Sequence, residues 1–158
     1  MDIRNMAFSV HTGNAFIFTE RVLQCVRMNA KVIRKDEIVH AGASVEQNVK
    51  KAVLLSGDWD GKYAVAVVVV DCSKPKAEVH EHAADVWRVM KGSGKFILGG
   101  EMQNPEKIRE GEWTADEISG GEIVEVGEGD LIDIPAGVPH QIDARGGRLE
   151  LQIVKINS

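Results

Sequence analysis

The sequence predicts an all-β barrel or sandwich preceded by an extension of different texture. Three observations carry this: short strand-like segments recur from about residue 56 to the end, glycine turns punctuate them, and Tyr63 to Val70 is an unbroken valine-rich run. Many short strands separated by glycine turns are the pattern of a sheet folded on itself or packed on another. A continuous apolar run of strand length reads as a strand buried on both faces.

At the N-terminal side, residues 1–55 read as an extension. Ala15 to Phe18 and Val22 to Val26 are apolar fragments without sustained period. Ser44 to Leu55 has apolar residues at 45, 49 and 52/53, a helical spacing, with Ser44 as N-cap and Gln47 three residues on. A short helix is expected there. Residues 56–158 read as the β domain, opened by the turn Ser56-Gly57-Asp58-Trp59-Asp60-Gly61.

The expected strands are Tyr63 to Asp71, Ala77 to His82, Val86 to Lys91, Lys95 to Leu98, Glu122 to Val126, Asp130 to Ile134, His140 to Asp143 and Arg148 to Ile156. Gly92-Ser93-Gly94 is expected to close a tight hairpin, and Gly127 to Asp130 and Arg145 to Arg148 to make further turns. Gly99 to Gly121, rich in glycine and charge, is too long for a hairpin loop and is either a flap beside a cavity or a surface excursion.

One domain fits a chain of 158 residues. With 19 Lys+Arg against 24 Asp+Glu and a pI near 5.5, the chain has no electrostatic footprint for nucleic acid or an anionic membrane. No apolar run is long enough to cross a bilayer as a helix, and Asp2, His11 and Asn14 interrupt any signal-peptide pattern, so a cytoplasmic protein is expected. Cys25 and Cys72 form no CxxC pair and read as ordinary small apolar residues.

The chemistry concentrates in Val79-His80-Glu81-His82-Ala83-Ala84-Asp85-Val86-Trp87 and Ile134-Pro135-Ala136-Gly137-Val138-Pro139-His140. On an extended strand His80 and His82 share a face and Glu81 turns outward. Two imidazoles on a buried face need either separate hydrogen-bond partners or one shared metal ion. With His140 brought alongside and Asp85 at the start of the next strand, three nitrogens and a carboxylate surround one point. Trp87 shares the face of Asp85 and lines the cavity or packs in the core, while Gln141 points away from His140. Pro135 and Gly137 shape the turn into His140. No nucleophile elbow or phosphate-binding glycine loop is present, and the sequence singles out no catalytic residue.

His80-x-His82-x-x-Asp85, followed by six residues and Gly92, and Gly129-x5-Pro135-x-Gly137-x-x-His140 resemble the two motifs of the cupin superfamily. The resemblance covers Tyr63 to Ile156 and looks most like small single-domain bacterial cupins. It implies a double-stranded β-helix, or jelly-roll barrel, holding one divalent transition metal on His80, His82, Asp85 and His140. Three departures stand out. Asp85 follows His82 after only two residues where cupins place a Glu after three or four, Lys74 stands where a glycine is usual, and Ala144 where an Asn is usual. Asp85 is therefore either a ligand or a hydrogen-bond acceptor beside one.

Two functions follow. One is a metal-dependent enzyme, a dioxygenase-like oxidoreductase or an isomerase, acting on a small organic molecule with Fe, Mn, Ni, Cu or Zn. The other is a non-catalytic small-molecule binding or sensor module on the same barrel. A homodimer is expected, with the N-terminal extension and its Phe8, Phe16, Ile17 and Phe18 as the arm.

Overall fold

A computed structural model describes residues 30–45 and 49–158. The apolar fragments, the aromatic arm, Cys25 and Gln47 lie outside the described residues. The elements in chain order are helix α1 (Lys35–Ala43) and strands β1 (Lys50–Gly57), β2 (Tyr63–Asp71), β3 (Ala77–His80), β4 (Ala83–Lys91), β5 (Ser93–Leu98), β6 (Glu101–Gln103), β7 (Glu106–Arg109), β8 (Glu112–Ala115), β9 (Glu117–Ser119), β10 (Glu122–Gly127), β11 (Leu131–Ile134), β12 (His140–Asp143) and β13 (Arg148–Asn157).

Two antiparallel sheets carry the fold. One has the order β1-β2-β13-β4-β11 and the other β10-β5-β12-β3-β8-β7, with β6 and β9 forming a separate ribbon. Between the sheets lies a core of Val68, Val70, Trp87, Val89, Phe96, Ile134, Ile142, Leu149, Leu151 and Ile153 with their neighbours. The all-β expectation holds. The valine run of β2 is continuous because both of its faces are covered: Val68 and Val70 face the core between the sheets, while Val67 and Val69 pack with Ala41 and Val45 of the helical segment.

The helix lies earlier in the chain than expected. Residues 50–57 form β1, paired antiparallel with β2 from Lys50 opposite Val70 to Gly57 opposite Ala64. Ser44 is the C-cap of α1, its hydroxyl donating to the Ala41 carbonyl at 2.8 Å. The apolar run Ala52 to Leu55 is compatible with either period, and pairing with β2 decides in favour of a strand. At the other end of α1, the Glu37 carboxylate accepts the Arg34 N–H at 3.0 Å, which satisfies one donor of the first turn. Arg148 of β13 ties the helix down, donating to the Gly42 carbonyl at 2.7 Å while pairing with Asp71 at 3.1 Å and Glu150 at 2.9 Å.

Gly92 does not close a hairpin. β4 and β5 belong to different sheets, and the glycine carries the chain across at φ +82, where a Cβ would run into the Arg148 carbonyl oxygen. Only glycine meets both demands. Cys72 also departs from expectation: it is exposed, with φ +45, at the turn after β2.

Candidate metal centre

Three cross-strand pairs build the site. β12 against β3 sets His140 opposite Glu78, β3 against β8 sets His80 opposite Glu112, and β4 against β13 sets Asp85 opposite Lys155. Residues two apart on a strand share a face, so the inward rows run Asp85-Trp87-Val89 on β4, Lys155-Ile153-Leu151 on β13 and His140-Ile142 on β12. Each row is apolar along the barrel and turns polar at the same end. There, a cavity of about 270 Å³ is lined by His80, Asp85, Glu78, Glu112, Lys50 and Lys155, with Arg109, Trp59, Trp87 and apolar side chains.

The two imidazoles are oriented by their outer nitrogens. His140 Nδ1 is 3.2 Å from the Val138 carbonyl oxygen, and His80 Nδ1 makes a short hydrogen bond to a carboxylate oxygen of Glu112. A carbonyl can only accept, so His140 Nδ1 carries the proton and Nε2 presents a lone pair. Both Nε2 atoms face Asp85: its Oδ2 lies 3.4 Å from His80 Nε2 and 3.7 Å from His140 Nε2. Asp85 is 1 % exposed, and neither of its oxygens nor His140 Nε2 has a hydrogen-bond partner among the described residues. Glu78, His80 and His140 also offer ligand atoms all within 4.8 Å of one another.

The electrostatics follow from this crowding. Burial pushes the His140 pKa down, against the pull of Asp85, and holds the ring neutral. Burial likewise pushes on His80, but the Asp85 carboxylate beside it, with the charge of Glu112, outweighs burial and raises its pKa. Asp85 and Glu78 are pushed up by burial yet end below the usual carboxylate range, the first through His80 and Lys155, the second chiefly through Lys50. The Lys50 ammonium reaches both Glu78 oxygens at 2.6 Å, and the buried Lys155 ammonium lies 3.6 Å from Asp85 and 3.7 Å from Glu112.

Of the four residues singled out as metal ligands, the structure brings His80, Asp85 and His140 together and leaves His82 apart. β3 ends at His80, because residues 81 and 82 make the turn that passes the chain to β4 in the other sheet, so strand alternation stops before His82. His82 is exposed, its ring packs over Gly111, and its carbonyl accepts the Ser158 N–H at 2.9 Å. Glu78, two residues before His80 on the same strand face, stands in its place. Read as Glu78-x-His80, the first motif leaves four residues before Asp85, and the shortened interval disappears.

Trp87 is in the core, packed edge-on against Phe96, and lines the cavity as well. Gln141 points away from the site, donating to the Pro75 and Asp116 carbonyls, and Glu81 faces outward, accepting the Trp113 indole N–H. Within residues 99–121, β8 forms a wall of the site and carries Glu112, while β6 and β9 form a largely exposed ribbon of their own. Sequence reasoning missed Glu78, Glu112 and Lys155. Two of these had a signal: Glu78 shares the period of His80, and Lys155 continues the inward row Leu149-Leu151-Ile153.

The donor set fits a divalent cation. Two imidazole nitrogens and a buried carboxylate oxygen converge with no donor between them among the described residues, an arrangement that needs either a proton or a metal. A larger open groove, at the far end of β12, gathers no such donor set. There Arg145 pairs with Asp143 and Lys95 with Glu125.

No protein-family model matches the chain, and no curated protein matches it. Among solved structures, it is similar to a protein from Thermus thermophilus (TM-score 0.55, 14% identity, 75% of this chain and 93% of that one). It is also similar to a Klebsiella pneumoniae protein described as having a double-stranded β-helix domain (TM-score 0.54, 15% identity, 81% and 90%) and to the Cnp3 cupin domain of Schizosaccharomyces pombe (TM-score 0.53, 11% identity, 74% and 67%). At these identities the likeness is one of fold: the chain has the double-stranded β-helix architecture of cupin domains. Among the described residues no helix is long and apolar enough to cross a membrane.

Proposed function

We propose that the protein is a metal-dependent enzyme acting on a small organic molecule, with Glu78, His80, Asp85 and His140 as the metal's donor set. The observation that carries this reading is that His80 Nε2 and His140 Nε2 both lie within 3.7 Å of Asp85 Oδ2, two of these three atoms being buried without any hydrogen-bond partner among the described residues.

A bound divalent ion supplies Lewis acidity towards a carbonyl or hydroxyl oxygen, and a redox-active one also supplies electrons. The chain's own groups favour proton-transfer chemistry. Lys155, buried between Asp85 and Glu112, can hold or hand over a proton inside the cavity, and Glu112 connects it to His80. Trp87, Val68 and Ile153 form an apolar wall that fits the carbon skeleton of a small molecule and excludes water. Isomerisation therefore stands ahead of dioxygenase-type oxidation.

The test starts with elemental analysis of protein reconstituted with Fe, Mn, Ni, Cu or Zn. Each loaded form is then incubated in D2O with a panel of small oxo- and hydroxy-compounds, with carbon-bound hydrogen exchange followed by NMR and oxygen uptake in parallel. Exchange that depends on the metal and vanishes in His140→Ala is expected. Failure to bind any of the metals overturns the reading, and metal binding without turnover leaves a binding module.

A further inference from the structure

The cavity holds more cationic side chains than a metal site needs. Glu78, Asp85 and Glu112 line it together with Lys50, Lys155 and Arg109. Arg109, about half exposed, pairs with Asp60 and also lies 4.0 Å from Glu112, so three carboxylates face two ammonium groups and a guanidinium. A divalent ion on Glu78, Asp85 and the two imidazoles adds positive charge to that set. Glu78, which faces Lys50, and Asp85, which faces Lys155, would then be shared with the metal in a confined space where charge interactions are strong. A second observation points to an acceptor-bearing ligand. The indole N–H of Trp87, which lines the same cavity and is 2 % exposed, has no acceptor among the described residues.

We infer that metal loading makes the cavity select a small organic acid, whose carboxylate is held by Lys155 and Lys50 beside the metal. This rests on the metal reading above and adds to it the substrate's charge class and an order of binding, metal before acid. Binding free energies are reciprocal, so the acid also tightens the metal.

Butyrate and butyramide are probes of nearly the same shape that differ by one charge. Their affinities are measured by saturation-transfer NMR on zinc-loaded and metal-free protein, with zinc content confirmed by elemental analysis. In the zinc form butyrate binds about tenfold or more tighter than butyramide, the range of one charged hydrogen bond. In the metal-free form that preference is gone. Lys155→Met abolishes the preference in the zinc form while zinc stays bound. Lys50→Gln, at a more exposed position, reduces it and covers the case in which Lys155→Met fails to fold. Zinc bound without any preference for butyrate overturns this inference and leaves the metal reading standing, as does a preference equal in both forms or one untouched by either lysine variant. Absence of zinc binding overturns both.

Discussion

Asp85→Asn separates the metal's contribution to stability from that of the fold. In metal-free protein the change is close to neutral. The new amide can donate to His80 Nε2, 3.4 Å away, or His140 Nε2, 3.7 Å away, a gain of about 1 kcal/mol. Against this, Lys155 loses one of its two carboxylates. At 3.6 Å this contact is longer than a normal hydrogen bond, so the loss is at most about the low end of a charged hydrogen bond, ~1.5 kcal/mol. The metal-free melting temperatures should therefore agree to within about 3–5 °C. With metal the two proteins part. At a metal concentration of one hundred times the wild-type Kd, binding stabilises the folded state by about 2.7 kcal/mol, which is about 5–11 °C for a chain of this size. Loss of a coordinating carboxylate weakens binding by at least what loss of a ligand's hydrogen-bond partner can cost, about 100-fold, so at the same concentration the variant gains at most about 0.4 kcal/mol, or 1–2 °C. Differential scanning calorimetry over a metal titration reads both. A variant that keeps the full metal-dependent shift refutes the assignment of Asp85.

Three further outcomes are expected. His82→Ala leaves metal content and melting temperature unchanged, within about 0.5 kcal/mol, whereas His80→Ala and His140→Ala abolish metal retention; loss of metal from His82→Ala would return that residue to the site. Protons compete with metal for His80, whose pKa lies above its ordinary 6.5 because Asp85 and Glu112 outweigh the downward push of burial. Metal affinity therefore falls as the pH is lowered through that raised value, beginning above pH 6.5, and a pH-independent affinity between 8 and 6 would contradict the assignment. Phe96→Ala removes a fully buried ring from between the sheets and lowers the free energy of unfolding by about 3–5 kcal/mol in urea denaturation, a loss below 1 kcal/mol being incompatible with the packing described.

Much of the barrel was legible because period-two patterning survives wherever a strand has one buried face. β12 and most of β13 fall where that pattern and the turn residues put them. β1 was not legible, since a short apolar run on an edge strand fits a helix as well as a sheet and only the partner strand decides. The hairpin at Gly92 failed for a related reason: a glycine at positive φ reports a reversal or crossing, but not which sheet receives the next strand. His82 shows the limit most clearly. Alternation is a property of a strand, and nothing local marks where β3 stops. The polar residues opposite the histidines, Glu112 and Lys155, depend on which strands become neighbours, and pairings of that sequence separation leave no local trace.

The polarity gradient along the barrel has a kinetic consequence. At its inner end the cavity is closed by Val68, Trp87 and Ile153, with the packed core behind them, while half-exposed Arg109 lines its outer part. The site is a cul-de-sac, and what enters last sits in the doorway of what entered first. A chelator should therefore strip the ion from a vacant cavity far faster than from one with a small molecule in its mouth, so that residence time, as well as affinity, belongs to the ternary complex.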